Sequence, residues 1–414
     1  MKRKAFAWGS LALVFLFGSL AFGRLAGSAS QQSSNQEALY NEVELLAEAI
    51  TIIQSDYVTE VEPKRLIYGA LKGLVESLDR HSQFLEPSAY TEMQVETKGE
   101  FGGVGLEITI SKDGLITVVT PIDDTPAFGA GLKPNDKIVK IDGQSTRGTS
   151  LHDAVKHLRG RPGSKVNLTI LRESENRVFD VSLARAVVKI RSVKDARMVA
   201  DKIGYIRISE FQDNTPKDLK KALETLEEVS LDGLILDLRN NPGGLLDVAV
   251  DVSEAFLPKG KLVVSTKGRV KNQNLEFVSK SDHPHLGYPM VILVNDGSAS
   301  ASEIVAGALR DHQRAILMGT KTFGKGSVQT VIPMKDGSAL RLTTSTYYTP
   351  SGRSIHGEGL QPDVVVTEEP PEPASKVKPP VPLPEEVEPK PITDSAILRA
   401  IDLLKGIKVY KASQ

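Results

Sequence analysis

The sequence has 414 residues, no cysteine, and 51 basic against 52 acidic side chains, which leaves a formal charge of −1 at pH 7. A chain of this length supports about two or three domains, each with its own hydrophobic core. The lack of cysteine excludes disulfides, thiol catalysis and cysteine-ligated metals. The balanced charge gives no general attraction to nucleic acid, so no nucleic-acid partner is expected.

The first 30 residues have the order of an export segment. Three basic residues at 2–4 precede an uncharged, largely apolar run over 5–23 that stops at Arg24. Small residues at 26–29 suit a cleavage site, but a run of 19 residues also approaches the length of a membrane-spanning helix. We therefore expect export to the periplasmic or extracellular face, with residues 1–30 either removed as a signal peptide or kept as a single-pass anchor.

Residues 36–95 predict an amino-terminal helical segment. Apolar residues recur at three- and four-residue steps over 39–50 and again over 66–78, with Pro63 ahead of the second set. His81 has no second histidine at metal-ligand spacing, so we expect a structural or surface histidine and no metal site.

The segment 96–186 changes to short β-like runs separated by turns. The stretch Gly103-Val104-Gly105-Leu106 opens one strand, and such a loop can aim backbone N–H groups at a carboxylate while the strand edge accepts a peptide. With the turn over 126–132, the pair Asn135-Asp136 and a following helix, the segment resembles a PDZ domain. The resemblance implies that protein or peptide substrates with free carboxy-terminal tails are bound here.

The segment 187–367 alternates between strands and helices. We predict a strand over 203–208, a helix over 216–228 and a continuous apolar strand over 231–238, the kind that is buried in a parallel or mixed sheet. A turn containing Gly243 and Gly244 then leads into a helix over 245–256. This rhythm predicts an α/β core.

A serine stands at a conspicuous place in this core. An apolar strand over 290–294 leads through a turn at 295–297 to Ser300 at the start of a helix. This setting can present a hydroxyl where backbone N–H groups point outward. The same residues also fit a capping box, in which Ser300 and Glu303 only close the helix, and Ser298 could cap it as well.

A lysine follows after a further strand over 315–319. Lys325 lies between two glycines, ahead of a strand predicted over 327–333. If its side chain is closed to water, desolvation lowers its pKa, and the neutral amine can take the proton of a serine hydroxyl. Gln329 would share one strand face with Lys325. The alternative is a solvated lysine in a flexible loop.

The stretches SASASE over 298–303 and TFGKGSVQ over 322–329 together resemble the signature of the carboxy-terminal processing peptidases, the tail-specific serine proteases. The resemblance extends over about 37–366. It implies an α/β protease core of ClpP/crotonase-like β-α-β units, an inserted PDZ domain and an amino-terminal helical segment.

The same resemblance implies the roles of individual residues. Ser300 becomes the nucleophile, Lys325 the general base and Gln329 the residue that orients the lysine. The oxyanion hole would combine the amide of Ala301 with that of either Gly243 or Gly244, and the family needs no cofactor.

The end of the chain contains a predicted linker and a predicted helix. Residues 368–391 are rich in Pro, Glu and Lys and predict an extended or disordered linker. Residues 392–414 contain a short amphipathic pattern, which predicts a helix that docks on the body or on a second subunit in a homodimer.

Taken together, these features predict an exported serine endopeptidase that recognises carboxy-terminal tails and cleaves with a Ser-Lys dyad assisted by Gln. One alternative is a PDZ scaffold or adaptor with an inert protease-like body. Another is acyl transfer on thioesters by a crotonase-like fold, which would require a cofactor pocket that the sequence does not indicate.

Overall fold

The computed structural model describes residues 40–367 and 392–413. The export segment predicted over 1–30 and the linker predicted over 368–391 lie outside the described residues. Within the described ranges, no helix is long and apolar enough to cross a membrane. Contacts within the chain divide it into two units, the first ending at Phe84 and the second beginning at Leu85.

Over the described residues 40–84, the first unit contains two helices and a short strand. It is helical over 40–56 and again over Pro63–Glu76, where the fixed φ of Pro63 suits the first turn. The ring of Phe84 lies edge-on to that of Tyr68, with centroids 5.0 Å apart. A short strand, Gln83–Leu85, lies at the boundary between the units.

The second unit begins with a helix and a β-rich domain. The helices here are Pro87–Lys98, Pro126–Gly129 and Leu151–Leu158, with a 3₁₀ turn at Glu173–Glu175. An antiparallel sheet contains, in spatial order, Leu106–Ile110, Ile116–Pro121, Lys137–Ile141, Lys165–Arg172 and Arg177–Ala184, and Gln144–Ser145 pairs with the third of these. Glu100–Gly103 and Ala186–Lys189 form a separate antiparallel pair.

The core of this domain follows from strand alternation. In Lys165–Arg172 every second side chain is buried, including Val166, Leu168 and Ile170, as expected of a strand with one face on the core. A buried ion pair also holds the domain together, because Arg172 donates to both oxygens of Asp136 at 2.8 Å. Two parallel hydrogen bonds of this kind pair the opposite charges and also fix the relative orientation of the two side chains.

The protease-like core is built on a six-stranded sheet. Its strands lie in the order Val193–Ala200, Ile203–Ile208, Gly233–Asp237, Met290–Val294, Ala315–Gly319 and Val364–Val365. The first pair is antiparallel and all later pairs are parallel. The central strands are apolar runs buried on both faces, which is the pattern typical of a parallel sheet covered by helices.

Helices cover both faces of this sheet. On one face the core is formed with the helices Thr215–Glu227, Leu246–Glu254 and Ala301–Asp311. On the other face it is formed with the helix Ser395–Ala412. Alternate strand residues point to opposite sides, so Leu236 lies in the first core and Ile235 in the second.

A second sheet carries the lysine-bearing part of the chain. Its antiparallel strands are Leu262–Gly268, Leu275–Val278, Ser327–Pro333 and Ala339–Tyr348, with a 3₁₀ turn at Lys271–Gln273. The last strand pairs with both Ser327–Pro333 and Leu262–Gly268.

The helix Ser395–Ala412 is longer than the sequence pattern indicates and packs on the sheet. The side chain of Asp394 accepts hydrogen bonds from the N–H groups of Ala396 and Ile397, which caps the helix. The same carboxylate forms an ion pair at 2.7 Å with Arg239, which lies just after a central strand. The helix is therefore fixed to the edge of the sheet at which the candidate site lies.

Candidate active site

Two loops meet where parallel strands end. The loop after Gly233–Asp237 contains Asn241, the loop after Met290–Val294 contains Ser298, and Ser302 lies in the first turn of the helix that follows. The hydroxyl of Ser302 donates to the Asn241 carbonyl at 2.9 Å, and that of Ser298 donates to the Leu238 carbonyl at 2.8 Å. The carboxyl edge of such a sheet is the usual place for a binding site.

Ser300 has an unusual backbone conformation at this edge. Its φ is 54° and its ψ is −114°, directly before the helix Ala301–Asp311. A non-glycine residue in such a region costs about 1–3 kcal/mol, and residues of this kind concentrate at functional sites. The strand, sharp turn and helix place the Ser300 hydroxyl beside the amino end of a helix, as in known nucleophile turns.

The three clustered serines have different surroundings. Ser298 and Ser302 are fully buried, and their hydroxyls are bound to backbone carbonyls of the neighbouring loop. Ser300 is partly accessible. The structure also places Ser300, not Ser298, at the N-cap position of the helix.

Glu303 connects the serine turn to the lysine loop. Its side chain is 0 % exposed, and its carboxylate accepts from the N–H groups of Ser300 at 2.9 Å, Gly324 at 2.8 Å and Lys325 at 2.9 Å. The hydroxyl of Thr322 donates to it as well. Burial raises the pKa of Glu303, and these hydrogen bonds act in the opposite direction. Sequence reasoning treated Glu303 only as a capping residue and missed this link.

Lys325 lies in a half-buried environment. Burial lowers the pKa of its ammonium group, and the positive charge of Arg341 lowers it further. In the described part of the chain, no hydrogen bond joins the Lys325 side chain to the Ser300 hydroxyl.

Gln329 is not placed as the strand pattern predicted. The strand begins at Ser327, after Lys325, so the two residues do not lie on one face of a regular strand. The Gln329 amide instead donates to the hydroxyl of Ser327 at 2.8 Å. Among the described residues, no hydrogen bond joins the Gln329 amide to the Lys325 side chain.

The glycine turn lies directly beside the serine. A Cβ atom on Gly243 would lie 2.7 Å from the Cβ of Ser300, and one on Gly244 would lie 2.1 Å from the Phe211 carbonyl oxygen. Both glycines have positive φ, at 110° and 147°. Only glycine fits these two positions without strain.

The two glycines differ in what their N–H groups bind. The Gly243 N–H donates to the side-chain oxygen of Asn241 at 2.9 Å. Over residues 40–367 and 392–413, the Gly244 N–H has no hydrogen-bond acceptor. Gly244 is therefore the better candidate for the oxyanion donor, together with the amide of Ala301 at the start of the helix.

The candidate peptide groove lies in the β-rich domain. A cavity of about 150 Å³ is lined by Phe101, Val104, Gly105, Leu106, Ile108, Val155, Leu158 and Arg159. The guanidinium of Arg159 lies 4.6 Å from the ring centroid of Phe101. Gly105 has a φ of 80°, and Gly103 ends the preceding strand. The predicted loop over 103–106 thus borders an apolar groove between a strand and a helix.

Among the described residues, no group of three or more His, Asp or Glu side chains is arranged to hold a metal ion.

Comparison with known families gives the class of the chain. Residues 202–366 match Peptidase family S41, residues 102–183 match the PDZ domain, and residues 21–87 match the Activating protease CtpB N-terminal domain. These matches confirm the predicted fold class, an α/β peptidase core with a PDZ domain and an amino-terminal segment.

Full-length relatives give the particular family. The carboxy-terminal-processing protease of Bartonella bacilliformis is 44% identical over 363 residues, which span 87% of this chain and 82% of that protein. The carboxyl-terminal-processing protease of Synechocystis is 36% identical over 84% of this chain and 87% of that protein. Among solved structures, a photosystem II D1 C-terminal processing protease is 31% identical, with a TM-score of 0.46 over 78% of this chain and 92% of that one.

The chain belongs to the carboxy-terminal processing proteases of peptidase family S41. It is a serine-type peptidase, as the sequence predicts. Family membership leaves the inert scaffold and the thioester acyltransferase without support.

Proposed function

We propose that this protein is an exported endopeptidase that cuts substrates near their carboxy-terminal tails with Ser300 as nucleophile and Lys325 as general base. The observation that carries the proposal is the shared carboxylate of Glu303, which binds the backbone N–H of both residues at 2.9 Å. A carboxylate that holds both backbones fixes a nucleophile and a half-buried amine relative to each other. A Ser-Lys mechanism requires a serine hydroxyl and a neutral amine near each other, and a shared carboxylate on the two backbones supports that assignment.

The proposed reaction begins with proton transfer. The neutral amine of Lys325 takes the hydroxyl proton as the Ser300 oxygen attacks the peptide carbonyl carbon. The amides of Gly244 and Ala301 donate hydrogen bonds to the oxygen that becomes negatively charged. The Lys325 ammonium then protonates the departing amine, which leaves an acyl-enzyme ester on Ser300.

Hydrolysis of the ester completes the cycle. Lys325, neutral again, takes a proton from a water molecule that attacks the ester carbonyl, and returns the proton to the Ser300 oxygen. For Gln329 to orient the amine, its amide must turn from Ser327 towards Lys325 during the cycle. We propose this rotation as part of substrate binding, since Ser327 and Lys325 lie two and four residues before Gln329 in the sequence.

The PDZ domain supplies tail recognition in this proposal. The loop over 103–106 binds the free carboxylate through its N–H groups, and the apolar groove beside it takes the last side chain of the substrate. The amino-terminal run over 5–23 directs export, either as a cleaved signal or as a membrane anchor. The proposal includes a homodimer. It is supported by exposed apolar side chains on the helix over 40–56, which include Leu45 and Ile52, because exposed apolar patches often mark protein–protein contacts.

The test is cleavage of an unstructured protein with an apolar tail, followed on gels. We expect the wild-type chain to cut it and Ser300→Ala to be inactive. Ser302→Ala is the matched control, since it removes a neighbouring hydroxyl whose bond to Asn241 is worth about 1 kcal/mol. Cleavage by Ser300→Ala at the wild-type rate would reject the proposed nucleophile.

A further inference from the structure

Tyr347 lies buried between the serine turn and the lysine loop, and the proposed cycle does not use it. Its side chain is 2 % exposed. It stands near the end of the strand Ala339–Tyr348, where it pairs with Thr266 on the neighbouring strand. Strand pairing fixes its backbone, and burial leaves the ring little room to move.

Tyr347 binds the lysine loop at two consecutive residues. Its backbone N–H donates to the carbonyl of Gly326 at 2.9 Å, and its hydroxyl donates to the carbonyl of Lys325. These two hydrogen bonds therefore fix the backbone of the lysine loop to the strand that carries Tyr347.

The same hydroxyl also meets the serine. Burial raises the pKa of Tyr347 far above its ordinary value, the charge of Glu303 raises it further, and a hydrogen bond with Ser300 acts in the opposite direction. The phenol is consequently neutral at physiological pH. Its single proton goes to the Lys325 carbonyl, so its oxygen is the acceptor for the Ser300 hydroxyl.

We propose that Tyr347 is a positioning residue, whose hydroxyl sets the separation between the nucleophile Ser300 and the backbone that carries Lys325. This inference rests on the proposed function. Glu303 holds the two residues through their backbone N–H groups, and Tyr347 holds them through the Ser300 side chain and the Lys325 carbonyl. Rotation about the Ser300 Cβ–Oγ bond then carries the proton from Tyr347 towards the lysine without displacing the oxygen.

The chemistry excludes a direct proton-transfer role for the phenol. A hydroxyl that stays neutral is a poor base, and its proton is directed at a backbone carbonyl rather than at a substrate. Its effect must therefore reach the reaction through the placement of Ser300 and Lys325, and small misplacements are costly, because about 1 Å of displacement can lower a rate about 100-fold.

The test compares Tyr347→Phe with the matched control Tyr348→Phe. The neighbouring Tyr348 points the other way, with its ring 4.7 Å from the ammonium of Lys267. The assays are steady-state cleavage of a short peptide, and the rate at which a small fluorophosphonate labels Ser300. The labelling rate reports on the nucleophile without peptide binding, and both rates are divided by the folded fraction from thermal unfolding.

For Tyr347→Phe we expect kcat to fall about 10- to 100-fold with KM within about twofold. Labelling should slow by a similar factor, while Tyr348→Phe matches the wild-type chain in both assays. Wild-type kcat and labelling in folded Tyr347→Phe would overturn the inference. So would a Tyr347→Phe chain that does not fold, because the hydroxyl would then serve the fold alone. Failure of the proposed function is separate, since it would show as Ser300→Ala retaining cleavage.

Discussion

Replacement of Glu303 by glutamine tests the link between the serine turn and the lysine loop. One carboxylate oxygen receives the N–H groups of Ser300 and Lys325, and the other receives that of Gly324 and the hydroxyl of Thr322. Glutamine keeps the shape but replaces one oxygen by an NH₂ group. That group is itself a donor, so it faces two donors and loses both bonds.

The size of the effect follows from these bonds. Hydrogen bonds to a charged acceptor are worth about 1.5–3 kcal/mol each, so two lost bonds amount to about 3–6 kcal/mol. Glutamine is uncharged, so the desolvation penalty of a buried carboxylate, about several kcal/mol, is removed and offsets part of this loss. We therefore expect a net loss of about 1–3 kcal/mol in the free energy of unfolding. The loss in kcat should be larger, about 100-fold, because both reacting residues move.

The assay is urea unfolding together with kcat on a short peptide. Glu224→Gln is the matched control, because this glutamate is exposed and lies 3.9 Å from Lys220 in a surface pair, which contributes about 0–1 kcal/mol. Glu303→Gln with kcat within about twofold of the wild-type value would refute the idea that this carboxylate holds the two loops in register.

Three further predictions concern Lys325, the loop over 103–106 and Asp394. Activity should rise with pH through the lowered pKa of Lys325, because only the neutral amine is a base; Lys325→Arg stays charged, and normal turnover in this variant would remove lysine from the mechanism. Amidating the tail of a long substrate should slow its cleavage while short peptides are unaffected, and equal rates at every length would mean that the loop over 103–106 does not read the carboxylate. Asp394→Ala should lower the free energy of unfolding by about 2–3 kcal/mol through loss of a helix cap and of a partner of Arg239; Asp394→Asn should recover the cap, and an unchanged urea midpoint in both variants would contradict this role.

Local patterns predicted the elements of the core well. The strands over 290–294 and 315–319 are confirmed, and the helix predicted over 216–228 is observed as Thr215–Glu227. These elements can be predicted because a buried strand is marked by a continuous apolar run bounded by turn residues, which is a local sequence pattern. The strand predicted over 231–238 is observed as Gly233–Asp237, so its end is also close to the predicted position.

Interactions between distant segments could not be predicted in the same way. Glu303 fits a local capping box, and nothing nearby in sequence indicates that its carboxylate also binds a loop 21 and 22 residues later. The prediction that Gln329 shares a strand face with Lys325 assumed a strand that already included Lys325, whereas the observed strand begins at Ser327. Tyr347 lies in an ordinary alternating strand, and its proposed role depends on hydrogen bonds to Lys325 and Ser300, which lie 22 and 47 residues earlier in the sequence.

The helix Ser395–Ala412 has a consequence for the order in which the protein can mature. It covers sheet residues such as Ile235, Val291 and Leu293, yet it is synthesised after all of them. Until it emerges, one face of the central sheet has no apolar cover, which is the kind of surface that promotes aggregation of partly made chains. The finished fold therefore depends on the arrival of residues that contribute nothing to the reacting groups themselves.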